Sequence, residues 1–492
     1  MSVIITVFVY FLALIVFSRL TARRSDNETF YRANRRSPWY MVAFGMVGAS
    51  ISGVTFVSVP GMVLRQDMTY VQTCLGFILG YFLVAFVLLP VYYKWNLTTI
   101  YSYLQHRLGR SAYITGAWFF LLSKMTGAAV RFYVVCLIVS KVLTANGWSH
   151  NGTQPDSGSH VIFLITVVAM TALIWLYTRR GGIKTLVWTD TFQTLCMFTA
   201  LFLIIMQVMG MLDMSVGEAV SAIAGNEHSR MFVFDDWISR QNFWKQFLSG
   251  IFIVVVMTGL DQDMMQKNLT CKSLREAQKD MCTYGFAFVP ANLLFMSLGV
   301  LLVLLAQKQA IPLPQNGDEL LPMFAATGRL GLAVIVFFTI GIVAASFSSA
   351  DSALTAMTTS YCVDIKQQPE DEQLRKRVHI GMAVVFMLII LLVYAVNSTS
   401  VIDAIYILCS YTYGPLLGLF AFALLTKRMP TDRYVPFIAI ASPVVCYLLN
   451  ILAIQMVNYH FGYELLMLNG ALTFAGLWIT GKGSSANKDA IG

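Results

Sequence analysis

Charged residues are scarce in this chain of 492 residues. Only 12% are Asp, Glu, Lys or Arg, whereas soluble domains carry about 25%, and 57% are hydrophobic. Apolar runs of roughly 17–25 residues recur from one end to the other, and each is long enough to span a bilayer. The composition therefore excludes a large soluble domain and predicts an all-α polytopic membrane protein.

Several chemical motifs are also missing. The eight cysteines and six histidines form no CxxC pair, HExxH motif or Cys/His cluster, so neither disulfides nor zinc are expected. No glycine-rich phosphate loop appears, which argues against ATP as the energy source. We find no catalytic constellation, so an enzyme is not expected.

Hydropathy predicts thirteen membrane spans, at residues 3–18, 38–62, 69–93, 112–143, 160–178, 183–212, 244–266, 281–306, 328–354, 378–396, 400–426, 433–457 and 461–480. Their loops place 25 Lys and Arg on one side of the membrane and six on the other. Because basic loops stay in the cytoplasm, we expect the N-terminus outside and the C-terminus inside. The net charge of +9 then reflects topology and does not indicate binding to nucleic acid.

Two of these spans carry signs of a break. The span at 38–62 is glycine-rich and polar around Gly48–Gly53, and the span at 244–266 contains Gly250 and Gly259. Transporters built from inverted repeats often break one helix in each repeat. Close helix packing by small residues is the alternative. On the first interpretation, the chain divides into an N-terminal helix with a cytoplasmic loop (1–37), a first repeat (38–212), an extracellular loop (213–243), a second repeat (244–426) and two peripheral helices with a short tail (427–492).

A serine-rich stretch, AASFSSADSAL, lies within the predicted span at 328–354 and continues to its end. One face of a helix there would carry Ala345, Ser348, Ser349 and Ser352. Hydroxyl and carbonyl oxygens suit a hard cation such as Na⁺. The alternative is that these serines bond back to their own helix and line a close helix contact.

Five stretches of the sequence resemble, in the same order along the chain, the motifs of one known family: SDNETFYRANRRSPWYMVAFGMVGASISGVTFVSVPG, LLPVYYKWNLTTIYSYLQHRLG, GGIKTLVWTDTFQ, TGLDQDMMQKNL and AASFSSADSALTAMTTSYCVDI. Together they resemble the sodium:solute symporter family, which includes sodium/glucose cotransporters and bacterial proline symporters. The motifs are most similar to those of bacterial sialic acid symporters. The resemblance implies a LeuT-like core of ten helices in two inverted repeats. It also implies sodium-driven uptake of a small polar solute by alternating access.

The resemblance further implies where Na⁺ would bind. By motif position, the principal site would use the carbonyls of Gly48, Ile51 and Ala345 and the hydroxyls of Ser348 and Ser349. A second candidate site, as in sialic acid symporters, would use Asp190, Ser348, Asp351 and Ser352.

Asp351 stands where those symporters have a serine. Three interpretations stay open: a charged ligand of a second Na⁺, a proton carrier beside another buried carboxylate, or an ion-pair partner of Lys124 or Arg131.

The substrate side depends on the charges of the fourth predicted span. Lys124 and Arg131 lie seven residues apart and share a helix face, and an arginine can bond both oxygens of a carboxylate. Sialic acid symporters hold their substrate carboxylate with an arginine on this helix, so the resemblance implies an anionic solute such as a sialic-acid-like sugar acid, unless these charges only balance Asp190 and Asp351. The predicted pocket residues are Ser50, Ser52, Thr55, Tyr70, Gln72, Arg131, Thr258 and Gln262.

The leading prediction is a sodium-coupled secondary active symporter of the inner cell membrane. Its expected partners are a small-molecule solute and the lipid bilayer, and no obligate protein partner is evident. The alternatives are uptake of a neutral sugar or an amino acid, and a membrane sensor that binds a solute without transporting it.

Overall fold

In the computed structural model, residues 9–16, 19, 26–143, 157–325, 329–396 and 408–481 are described, and most of them are helical. The helices that build the core are α1 Trp39–Ser50, α2 Gly53–Gln66, α3 Tyr70–Leu83, α4 Arg110–Leu143, α5 Ser157–Gly181, α6 Ile183–Leu212, α7 Phe243–Val254, α8 Gln262–Asn268, α9 Leu274–Lys308, α10 Leu332–Ser360, α11 Glu372–Val396, α12 Gly414–Leu425, α13 Val435–Val457 and α14 Leu465–Thr480. No strand occurs within these described ranges.

Among the described residues, eight helices are long and apolar enough to cross a membrane, and two bent helix pairs raise the number to ten. These ten match ten of the thirteen predicted spans. α12 and α14 are shorter apolar helices, and the span predicted at 3–18 is described only over 9–16. The total of thirteen therefore stays a prediction, as does the division into inverted repeats.

The first bent pair consists of α1 and α2, which meet at an angle of 60°. Helix α1 ends at Ser50 because the helical pattern of backbone hydrogen bonds stops after Ile51. The Ile51 N–H still reaches the Val47 carbonyl at 3.0 Å, but the Ser52 N–H turns to the Ser50 carbonyl at 3.0 Å. The predicted break is therefore present.

The second bent pair consists of α7, extended by a π-helical turn to Gly259, and α8, at an angle of 70°. The Leu260 N–H bonds back to the Val255 carbonyl at 2.9 Å. The Asp261 carboxylate then accepts the N–H of Asp263 at 2.9 Å and starts α8. Gly250, predicted as a flexible point, lies inside regular α7, so only Gly259 is at the break.

Close packing also accounts for the glycines of the first break. α6 lies against both α1 and α10. A Cβ atom on Gly48 would come within 1.8 Å of Thr194 Oγ1, and one on Gly53 within 2.0 Å of Ser346 Oγ. Both interpretations of these glycines thus hold, since they permit close helix contact next to a break.

Candidate functional site

A central cavity of about 110 Å³ lies between the two breaks, and residues of both bent pairs and of α3, α4 and α9 line it. Six of the predicted pocket residues are among its lining residues: Ser50, Ser52, Thr55, Tyr70, Arg131 and Thr258. The two breaks and the polar middle of the second predicted span therefore meet at one site.

Gln72 and Gln262 are not among the lining residues, and their amides are bonded elsewhere. Gln72 accepts the N–H of Val233 at 3.0 Å and donates to the Gln241 carbonyl at 2.9 Å, so it holds the 213–243 connection against α3. Gln262 accepts the N–H of Ile100 at 2.9 Å and donates to a backbone carbonyl nearby. Both glutamine side chains thus bind backbone groups of the protein outside the cavity.

Arg131 is half-buried at the cavity wall. No described residue lies within ion-pair distance of its guanidinium, and none accepts a hydrogen bond from it. Buried or half-buried guanidinium groups are normally paired. The cavity therefore presents one cationic fork whose donors remain available to a ligand.

Lys124 differs sharply from Arg131. It is buried, and its Nζ lies 3.2 Å from Asp261 Oδ2 and 2.6 Å from Asp263 Oδ2. The Tyr413 hydroxyl donates to Asp261 at 2.5 Å. The alternative that Lys124 balances Asp190 or Asp351 is therefore wrong, because the second break supplies two nearer carboxylates.

Tyr284 is a cavity residue that sequence reasoning missed. Its hydroxyl accepts from the Tyr81 hydroxyl at 2.8 Å and is hydrogen-bonded to the Ser50 hydroxyl at the end of α1. All three side chains line the cavity. The sequence signal was available, since Tyr284 is a polar residue within the predicted span at 281–306, but no partner could be assigned without the fold.

The predicted principal sodium site brings the first break against α10. The Ser349 hydroxyl donates to the Ala49 carbonyl at 2.8 Å and to the Ala345 carbonyl at 3.3 Å. Within the described part of the chain, no group donates a hydrogen bond to the carbonyl oxygen of Gly48 or of Ile51. A buried carbonyl without a donor is uncommon. These oxygens can therefore serve a cation.

The second predicted site is also assembled, with an unexpected member. The Ser348 hydroxyl donates to Asp190 Oδ1 at 2.7 Å. Asp351 accepts the Tyr177 hydroxyl at 2.5 Å and the Ser352 hydroxyl at 3.3 Å. The interpretation of Asp351 as an ion-pair partner of Lys124 or Arg131 is wrong, because no described Lys or Arg lies within 4 Å of its carboxylate.

The unexpected member is Lys267 of α8. Its Nζ lies 2.7 Å from Asp190 Oδ2, and both side chains are at most 2% exposed. Hydropathy alone assigns Lys267 to a cytoplasmic loop. Its place four residues after Asp263, in a stretch that already matches the family motif, was the available signal.

Known proteins with similar sequences are sodium-coupled transporters. The model of the sodium:solute symporter family matches residues 30–432. The human sodium/iodide cotransporter is 26% identical over 254 residues, which are 51% of this chain and 36% of that protein. The sodium/sialic acid symporter SiaT of Proteus mirabilis is 23% identical over 463 residues, which are 89% of this chain and 85% of that protein.

A solved structure of a Na⁺-coupled sialic acid symporter, in a substrate-bound outward-open state, is also similar to this chain. The TM-score is 0.78 at 19% identity, with 96% of each chain covered. At this identity the likeness shows the fold, and the predicted all-α, LeuT-like architecture is confirmed.

Proposed function

Because the chain belongs to the sodium:solute symporter family, we propose that it imports a small organic anion together with Na⁺ by alternating access. Its relatives are transporters and not enzymes. We place it in the inner cell membrane, with the N-terminus outside and the C-terminus in the cytoplasm. Residues 38–212 and 244–426 would form the two inverted repeats, each beginning with a broken helix.

The observation that carries the proposal is the pair of unbonded carbonyls at the first break. Half-helix ends and unwound carbonyls coordinate Na⁺ in transporters of this kind of architecture. Gly48, Ile51 and Ala345 would contribute carbonyl oxygens, and Ser348 and Ser349 would contribute hydroxyls. Neutral oxygen ligands suit a hard monovalent cation. The proposed principal Na⁺ site therefore joins α1 to α10.

The proposal of an anionic solute rests on Arg131. Its guanidinium is the cavity cation without a described partner, because Lys124 is taken by two carboxylates. A carboxylate fits the two parallel donors of an arginine. Two relatives also carry anions, since their names state iodide and sialic acid. Ser50, Ser52, Thr55, Tyr70 and Thr258 would then meet the remaining polar groups of the solute.

A second cation is proposed beside Asp351. Asp190, Ser348, Asp351 and Ser352 form one buried polar cluster, and buried carboxylates need a compensating cation. The Ser348 hydroxyl would be shared between both sites, because it already contacts Asp190.

The test is uptake by proteoliposomes that contain the purified protein. Sialic acid, pyruvate, glucose and proline are offered as radiolabelled solutes under an inward Na⁺ or an inward K⁺ gradient. We expect uptake of an acid under the Na⁺ gradient alone, and a much weaker apparent affinity for that acid in Arg131→Ala. Ser346→Ala is the matched control, since this serine lies on α10 but bonds back to the Ile342 carbonyl.

Two results would contradict the proposal. Equal uptake under both gradients would remove sodium coupling. Preferred uptake of glucose or proline would keep the symporter and remove the anionic solute.

A further inference from the structure

Lys267 forms a buried ion pair that no part of the proposed sodium chemistry requires. Its Nζ lies 2.7 Å from Asp190 Oδ2. The contact lacks the geometry of a regular hydrogen bond, and Nζ has no other hydrogen-bond partner in the described residues. An ammonium buried to this degree is costly unless a negative charge compensates it. Lys267 therefore acts as a point charge on Asp190.

The charges around Lys267 do not cancel. Asp190 and Asp351 are both fully buried and interact electrostatically with Lys267. Asp263 is also within electrostatic reach, but its nearest cation is Lys124 at 2.6 Å. Within the described ranges, one lysine thus faces two carboxylates at this site, so that with both carboxylates ionised the cluster carries one negative charge in excess.

The side chain of Gln193 indicates that this site holds something more than protein. Gln193 lies three residues after Asp190 on α6 and is 0% exposed. Neither its Oε1 nor its Nε2 has a regular hydrogen bond to a described residue, although the Tyr10 hydroxyl lies close enough to interact. Buried polar groups without partners point to a bound ion or water. The excess charge and this amide are independent observations of the same region.

We propose that Lys267 is a built-in cation of the second site. Its ammonium neutralises Asp190, so the cluster binds one dissolved Na⁺, held against Asp351 and Ser352, where the two carboxylates alone would require two. This inference rests on the proposed sodium coupling. It adds that the number of ions per transport cycle is set by a side chain of α8.

The position of Lys267 also connects the two halves of the site. The same helix α8 starts at Asp261 and Asp263, which hold Lys124 at the cavity. Lys267, at the other end of α8, holds Asp190 on α6. Movement of α8 when a solute binds would therefore change the distance between the Lys267 ammonium and Asp190. The affinity of the cation site would then depend on the solute, which is the physical requirement for coupling.

The test counts ²²Na⁺ bound at equilibrium to the purified protein in detergent, without any solute. Four proteins are compared: the wild type, Asp190→Asn, Lys267→Met and the double variant Asp190→Asn/Lys267→Met. Asp190→Asn should bind one Na⁺ fewer than the wild type, because Lys267 then neutralises Asp351. Lys267→Met should bind one more, and the double variant should return to the wild-type number.

If the ion pair between Lys267 and Asp190 were purely structural, the number of bound Na⁺ ions would not fall in Asp190→Asn, rise in Lys267→Met and return to the wild-type number in the double variant. Lys267→Arg, which keeps the charge, and Lys272→Met, which removes an exposed lysine nearby, should both keep the wild-type number. If Lys267→Met fails to fold, the remaining two variants still differ in the expected count: Asp190→Asn should bind one Na⁺ fewer than the wild type, and the double variant should bind the wild-type number.

If all variants bind the same number of Na⁺ ions and the wild type binds at least one, the proposed role of Lys267 is overturned but the proposed sodium coupling is not. A wild type that binds no Na⁺ would overturn the proposed sodium coupling as well.

Discussion

The two broken helices of this protein differ in the partners of the backbone carbonyls that lie at the break itself. At the first break, the carbonyls of Gly48 and Ile51 accept no hydrogen bond from any described residue. At the second break, the Tyr92 hydroxyl donates to the Gly259 carbonyl at 2.8 Å, and the Tyr101 hydroxyl donates to the Leu260 carbonyl at 2.9 Å. The carbonyls of Gly259 and Leu260 are thus satisfied by tyrosine hydroxyls, whereas those of Gly48 and Ile51 have no donor among the described residues.

The charges differ in the same way. Hydroxyls and backbone oxygens surround the first break, while Asp261 and Asp263 at the second break are held by Lys124. Carbonyl oxygens that accept no hydrogen bond from the protein can bind a cation reversibly. Charges that are paired within the protein can instead form a fixed wall of a solute site. The comparison therefore supports the proposal that the first break binds the ion and that the second break positions the solute.

The largest effect is expected at the second break. Lys124→Met leaves Asp261 and Asp263 buried without their cation, and breaking a buried ion pair costs about 3–5 kcal/mol. We expect a strongly lowered midpoint of thermal unfolding in detergent. Lys272→Met, at an exposed position, is the control.

Adding Asp263→Asn to Lys124→Met should recover part of that stability, because one uncompensated charge is removed. Full stability of Lys124→Met alone would show that the second break does not depend on its paired charges.

The next effect concerns the first break. Ser348→Ala/Ser349→Ala removes two proposed Na⁺ ligands, each worth about 1.5 kcal/mol as a contact to a charged group. The Na⁺ concentration for half-maximal uptake should rise roughly a hundredfold. Ser346→Ala should leave it unchanged, and an unaltered Na⁺ dependence of the double variant would remove these serines from the site.

A smaller effect is expected for the solute. Arg131→Ala removes a charged pair of hydrogen bonds, worth about 2 kcal/mol, and should weaken solute binding roughly thirtyfold. Sodium binding should persist, because Arg131 contacts no proposed Na⁺ ligand. The solute affinity of Arg131→Lys should lie between those of the wild type and Arg131→Ala, because lysine keeps the positive charge but lacks the planar guanidinium that bonds both carboxylate oxygens. Parallel loss of Na⁺ and solute binding would indicate a structural role instead.

The smallest effect belongs to the tyrosines of the second break. Tyr92→Phe and Tyr101→Phe each remove one hydrogen bond to a buried carbonyl, which costs about 1 kcal/mol. Modest decreases in thermal stability are expected, without a change in the number of bound Na⁺. A gain of Na⁺ binding in the double variant would mean that unbonded carbonyls alone are enough to make a cation site at either break.

Sequence reasoning reached the helical architecture because periodic apolar runs, basic loops and the family motif are local signals. It also placed the first break, since a glycine-rich, polar middle is poorly suited to a regular helix that faces lipid. It missed the partner of Asp190, because Lys267 is distant along the chain and looks like one more basic loop residue. Whether a side chain such as Gln72 faces the cavity or a loop is likewise decided by tertiary packing, which no local pattern encodes.

The most direct test of the contrast between the breaks is hydrogen–deuterium exchange of the purified protein in Na⁺ and in K⁺ at equal ionic strength. The account predicts that Na⁺ slows exchange in peptides that cover residues 47–53 and 344–352, because a bound ion would join these segments. Peptides that cover residues 259–263 should exchange at similar rates in both salts. Equal exchange at the first break in Na⁺ and K⁺, or protection confined to the second break, would contradict the account.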